Sequence, residues 1–204
     1  MATSNNTYPA NCLAEYPESS SRILAFLGFL FWIKLVALIP HFIVLYLLGI
    51  ISPLMVWIVY LWVTFTGKYP RGLFDFQVGV IRWNFRVNCW AIGLTDKYPP
   101  FSFEEGGYPT DVSVEYPESS SRILAFLGFF FWIKLIALIP HFIVLFFLGM
   151  ISLLLTWIGY LAVIFTGKYP RGLFDFQVGV IRWNFCVNCW VIGLTDKYSP
   201  FSLK

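Results

Sequence analysis

Two long apolar runs dominate the pattern of the chain. Ile23–Thr66 is interrupted only by Lys34, His41 and a few small polar residues, and Ile123–Thr166 repeats it. A helix that long would measure about 66 Å, roughly twice the hydrocarbon core of a bilayer, so one straight crossing is impossible and two joined by a tight turn fit. Two places offer the turn. A break at Pro40-His41 leaves Lys34 near a helix end; the alternative kinks the first helix at Pro40 and turns within Gly49–Pro53. Each run thus predicts a transmembrane helical hairpin, over about 22–67 and 122–167. After each run the period changes. From Asp75, placed as an N-cap, Gln77, Asn84 and Asn88 fall on one helical stripe, Arg82 and Arg86 opposite, and Phe76, Val80, Trp83, Val87 and Trp90 between them. This predicts interfacial amphipathic helices over about 75–93 and 175–193. Phe101–Glu104 and Val112–Glu115 alternate with period two around Gly106-Gly107, which predicts a small β-hairpin.

The runs are alike because the chain is a tandem repeat. Between 15–102 and 115–202, 14 of 88 positions differ and 74 are identical, with no gap. Most differences are apolar exchanges; the exceptions include Pro53/Leu153, Val56/Thr156 and Arg86/Cys186. The expected organisation is repeat 1 over 1–102, a linker over 103–111 and repeat 2 over 112–204. The expected fold is an all-α membrane protein: two tandem transmembrane helical hairpins (four crossings), each followed by an interfacial amphipathic helix, with a small extramembrane β-hairpin between the repeats.

Composition strengthens the membrane reading. Hydrophobic residues make up 58% of the 204 and charged residues 12%, with a mean hydropathy of +0.71; a soluble domain of this size has too little interior for that surface. Four crossings put all segments longer than a turn on one face. Every Lys and Arg except Lys34 and Lys134 falls there, which predicts a multi-pass protein of the bacterial inner membrane with both termini cytoplasmic. The net charge of +3 then reflects topology and anionic lipid, not nucleic acid, since no dense basic patch exists. Met1–Asn11 is polar and shows no leader pattern.

Candidate chemistry is sparse. Arg82, Trp83, Arg86 and Trp90, with Arg182, Trp183 and Trp190, are the expected lipid-contacting set, the arginines reaching phosphates; the competing reading pairs them with Asp75 or loop carbonyls. His41 and His141, one per repeat, could meet as ligands of a haem or pigment, or satisfy carbonyls beside the proline. Cys186 and Cys189 have Cys-x-x-Cys spacing, but repeat 1 has Arg86 at the first position, so the pair is not intrinsic to the unit; no metal site is expected. Lys34 and Lys134 have no acid within their runs and are expected to snorkel to headgroups. Asp75, Asp96, Asp175 and Asp196 read as caps or ion-pair partners, and no nucleophile–base arrangement or phosphate loop is present.

The string Thr-Gly-Lys-Tyr-Pro-Arg-Gly-Leu-Phe-Asp-Phe, followed by Leu-Thr-Asp-Lys-Tyr-Pro-Pro-Phe-Ser, with Ile-Pro-His before it and Val-Glu-Tyr-Pro-Glu opening the unit, resembles a bacterial family of small integral membrane proteins described only as a domain of unknown function. The resemblance covers about Tyr8–Ser102 and Tyr108–Leu203. It implies an inner-membrane protein with paired hairpins and supplies no catalytic residues. The first copy departs where Ala10-Asn11-Cys12-Leu13-Ala14 replaces the alternating Asp111–Val114. The expected function is that of a non-catalytic accessory or scaffolding subunit of a larger membrane complex, meeting lipids and other membrane proteins through aromatic helix faces. The alternatives are a handler of lipid or another hydrophobic molecule, and a His-ligated haem or pigment protein.

Overall fold

The structure is a computed structural model that describes residues 8–30, 32–130 and 132–203, the side chains of Trp32 and Trp132 excepted. Met1–Thr7, most of the segment read above as a polar start, lie outside the described residues. In chain order the elements are β1 (Ala10–Ala14), α1 (Arg22–Phe29), α2 (Trp32–Ala37), α3 (Ile39–Thr66), α4 (Arg71–Ala91), β2 (Thr110–Val114), α5 (Arg122–Phe129), α6 (Trp132–Thr166) and α7 (Arg171–Val191).

Local chemistry sets the boundaries. Ser21 and Ser121 cap α1 and α5, each side chain accepting from the amide three residues on (3.3 Å). Gly67 and Gly167 close α3 and α6 in the left-handed region, at φ 70° and 74°. The hairpin turn is not where the sequence suggested. Pro40 lies in the first turn of α3, where its missing N–H costs nothing, and Pro140 is carried inside the unbroken α6. Gly49–Pro53 is helical throughout. The chain turns earlier, after Phe29 and Phe129, leaving α1 and α5 at 8 residues each. That is about 12 Å of helix, too short to cross a bilayer. Each repeat thus contributes one long apolar helix rather than a two-legged hairpin, and four crossings are not supported. Two helices, Ile39–Thr66 and Ile133–Thr166, are long and apolar enough to cross a membrane.

The repeats interlock. β1 pairs antiparallel with β2, centred on Cys12 opposite Val112. The expected hairpin between 101–104 and 112–115 is not formed, because its first arm has other partners: Phe101 stacks on His41 (3.9 Å between centroids) and Phe103 covers Gly79. The short helix of each repeat packs on the long helix of the other, α1 on α6 and α5 on α3. Backbone bonds repeat the exchange, Ser20 N–H to the Gly167 carbonyl and Ser120 N–H to Gly67 (2.9 Å each). The Tyr16 and Tyr116 hydroxyls donate to the carbonyls of Tyr169 and Tyr69. One core cluster draws on both repeats, including Val59, Tyr60 and Val63 with Tyr160, Val163 and Tyr169. Along α3, Phe42, Tyr46, Ile50, Leu54, Ile58, Leu61 and Phe65 stay exposed, as do Phe146, Leu154 and Phe165 on α6.

Candidate functional site

Three polar sites lie inside this apolar shell. The first is on α4. Arg82 is 7% and Arg86 1% exposed. Arg82 Nε donates to Asp111 Oδ1 (2.8 Å), and its terminal nitrogens donate to the carbonyls of Phe103 (2.7 Å) and Val112 (2.9 Å). Arg86 donates to Asp111 Oδ2 (3.0 Å) and to the Glu104 carbonyl (2.8 Å). Asp111 also accepts from the Gly106 amide (2.6 Å), so one carboxylate gathers two guanidiniums and the 103–106 loop. Turned inward, these side chains are not the lipid-phosphate contacts expected of them. Trp83, Trp90, Trp183 and Trp190 are likewise buried, and Arg182 is half-buried. α4 and α7 begin at Arg71 and Arg171 and bury most of their side chains, with Asn84 and Asn88, and Asn184 and Asn188, left exposed. An open groove of about 530 Å³ adjoins this site, lined among others by Arg71, Phe74, Phe76, Arg82, Phe103 and Glu105.

Two lysine junctions form the second site. Lys34, 4% exposed, donates to the Trp90 carbonyl (2.9 Å) at the C-terminal end of α4 and to the Tyr160 hydroxyl (3.3 Å) of the other repeat. Its ammonium lies 4.5 Å from the Trp90 ring centroid and 5.0 Å from that of Tyr160. Lys134 repeats this with Trp190 (2.9 Å) and Tyr60 (3.0 Å). A cation beside the carbonyls of a helix C-terminal end, between two ring faces, is electrostatically well placed. Burial still pulls the Lys34 ammonium down to about 8, with Asp96 opposing. Neither lysine snorkels. Tyr60 and Tyr160 then donate to the carbonyls of Val191 and Ala91, tying each long helix to the opposite repeat.

The third site is duplicated. Trp83 donates its ring N–H to His41 Nδ1 (2.8 Å), and Trp183 does the same to His141 (2.8 Å). Phe101 and Phe201 stack on the imidazoles (3.9 and 3.8 Å), with Tyr98 and Tyr198 alongside. With Nδ1 accepting, the proton sits on Nε2, which is buried with no partner among the described residues. The tryptophans beside the two histidines belong to different clusters, and an imidazole stacked and walled in on Nε2 does not fit an axial haem or pigment ligand. All four cysteines are buried and free, and no group of three or more ligating residues is suited to a metal among the described residues. Burial pushes the Cys12 thiol up to about 11 and the Cys89 and Cys186 thiols to about 12.

The aspartates divide. Asp75 and Asp175 pair with Arg71 and Arg171 (3.1 and 3.0 Å), and Asp96 and Asp196 accept from the Ser21 and Ser121 amides (2.6 Å each). Sequence reasoning missed Asp111, Tyr60 and Tyr160, which organise the sites. The signal for Asp111 was available, since Asn11 and Cys186 replace Asp111 and Arg86 in the other copy.

No curated protein and no solved structure compared with the chain matches it. A family model does: Domain of unknown function (DUF4389) matches residues 30–102 and again residues 130–203. The chain therefore belongs to this family and carries its unit twice in tandem.

Proposed function

We propose that the protein is a non-catalytic accessory or scaffolding subunit held in a bacterial inner membrane by α3 and α6. The observation that carries this reading is the uncovered apolar face running the length of both helices, from Ile39 to Phe65 and from Ile133 to Phe165. Lipid or a membrane partner suits such a surface. The lysines, Arg82, Arg86 and Asp111 are taken up by one another, by backbone carbonyls and amides, by the Tyr60 and Tyr160 hydroxyls and by Glu105, an arrangement that serves architecture. Two spans, unlike four, divide the basic residues. Lys68, Arg71, Arg82, Arg86, Lys97 and Arg122 fall between α3 and α6, while Arg22, Lys34, Lys168, Arg171, Arg182, Lys197 and Lys204 fall outside. The one-sided excess that favoured cytoplasmic termini is lost with that change. Extraction in a mild detergent tests the proposal: a stoichiometric membrane partner is expected, and a lone monodisperse monomer would sink it.

A second reading, handling of lipid or another hydrophobic molecule, draws on the groove beside α4, where Phe74, Phe76 and Phe103 offer an apolar lining and Arg71 a cation. Mass spectrometry of the gently extracted protein should then find bound amphiphile that Phe76→Ala releases.

A further inference from the structure

The family unit occurs twice here, and neither copy satisfies its own groups. Every contact described as an exchange has a reciprocal: Lys34 with Tyr160 and Lys134 with Tyr60, Ser20 with Gly167 and Ser120 with Gly67, Tyr16 with Tyr169 and Tyr116 with Tyr69. The Tyr160 ring fills the space over Gly28 and Gly93, and the Tyr60 ring fills that over Gly128 and Gly193. Cys12 and Val112 face each other at the centre of the strand pair, and Phe85 meets Phe185 (6.3 Å) between α4 and α7. Contacts in which i meets j′ and j meets i′ define an isologous twofold interface. Alone, one repeat leaves β1, Tyr60 and Lys34 without the partners that bury them.

One part of the interface breaks the symmetry. Repeat 1 presents Arg82 and Arg86 to Asp111 on the strand of repeat 2. The equivalent contact of repeat 2 presents Arg182 and Cys186 to the strand holding Asn11 and Cys12, with Arg182 against Cys12 and Asn11 exposed. Two copies of repeat 1 would therefore place Arg82 and Arg86 against Asn11 twice over, leaving Arg86 without a carboxylate and Arg82 with only the exposed Glu105 of its own loop (3.4 Å), which is disfavoured for buried guanidiniums.

We propose that each repeat is one half of a twofold pseudodimer whose interface also works between separate chains, and that Asp111 is the residue making repeat 1 choose repeat 2 over a second copy of itself. The partner that this surface fits is thus a repeat-2 unit carrying an acid at position 111.

The test nicks the folded chain at an inserted protease site between Gly106 and Gly107, both exposed with open space around them. The nicked protein is unfolded in a harsh detergent and returned to a mild one together with an equal amount of the same nicked protein whose repeat 1 bears a different tag. Capture through one repeat-1 tag should retrieve repeat 2 at one to one, with the other repeat-1 tag at a tenth of that level or less. In D111N the two should approach parity, and Asn11→Asp in both repeat-1 chains should raise repeat-1 self-pairing. Nicked halves that fail to reassemble where the intact chain refolds, or equal capture of both partners with Asp111 present, would overturn the proposal.

Discussion

The lysine junctions and the arginine contacts both join one repeat to the other, yet the duplication has treated them differently. Lys34 and Lys134 have the same partners, a helix-end carbonyl at 2.9 Å in each and a tyrosine from the opposite long helix. The arginine contacts have diverged: an acid holds two guanidiniums on one side, while the other has one arginine and a thiol. A buried lysine must find its acceptors wherever it occurs, so a change in either copy is penalised twice. The arginine contact needs an acid only where two guanidiniums are buried. Where Cys186 replaces the second guanidinium, the facing strand carries an exposed Asn11 and Arg182 lies against Cys12.

Breaking the asymmetric contact should have the largest effect. Arg86→Ala removes the charge-assisted bonds to Asp111 and the Glu104 carbonyl together with the packing of a fully buried side chain, which should cost about 3 kcal/mol. Cys186→Ala, at the matching position, should cost about 1 kcal/mol, the scale of a small core truncation. Thermal unfolding in detergent compares them, and equal losses would refute the asymmetry. Next in size is Gly128→Leu. An ideal Cβ there would stand 2.7 Å from the Tyr60 ring, and at Gly28 2.5 Å from that of Tyr160. Overpacking should cost about 2 kcal/mol at either position. A tolerated leucine would show that the repeats do not interlock through these rings.

Much of this was legible in the sequence. The end of each long helix at Thr66 and Thr166 follows from the glycine after it, and α4 ends within two residues of where the amphipathic pattern stops. The exchange of partners was not legible, for a physical reason. With the copies so nearly identical, a contact from Tyr60 to Lys34 and one from Tyr60 to Lys134 look the same in sequence. The early turn was also hidden, since Leu30 and Phe130 are apolar and carry no breaker, while Gly28 serves the close approach of Tyr160. Amphipathicity misled at Arg82 and Arg86. A polar stripe on a helix reports that charge must be satisfied, and it does not tell lipid phosphate from a buried aspartate 25 residues beyond Arg86 and 29 beyond Arg82.

The symmetric junction makes a complementary prediction. Lys34→Met and Lys134→Met each remove two hydrogen bonds, leaving behind a carbonyl and a tyrosine that keeps its own acceptor. Methionine fills most of the stem volume, so each loss should be about 1 kcal/mol. The two should agree within about 0.5 kcal/mol, and additivity in the double variant tests whether the junctions act independently. Unequal losses would mean that the asymmetry at the arginines spreads to the lysines.

The smallest effect belongs to the thiols and distinguishes the two sides by pH. Burial raises Cys12 from an ordinary 9.0 to about 11, with Arg182 pulling the other way. Cys89, across the strand pair, rises to about 12 and has Thr110 rather than an arginine beside it. An acid held neutral in the folded chain contributes stability that is complete below its unfolded value and lost as pH climbs through its folded one. The thiols' contribution should therefore be constant below about pH 8 and fade between about 9 and 11, opposite in sign to the buried Lys34 ammonium, whose lowered value makes stability rise with pH from about 8. Cys89→Ser should soften that alkaline loss at least as much as Cys12→Ser, because the folded Cys89 thiol stays neutral to a higher pH and so carries the larger gap from its unfolded value. Thiol alkylation in detergent supplies the independent readout: at pH 8 the thiolate fraction of Cys12 is about one in a thousand, so it should react orders of magnitude more slowly than a free thiol. Rapid labelling at that pH would show that the strand pair opens, and with it the contact that sets Arg182 apart from Arg82.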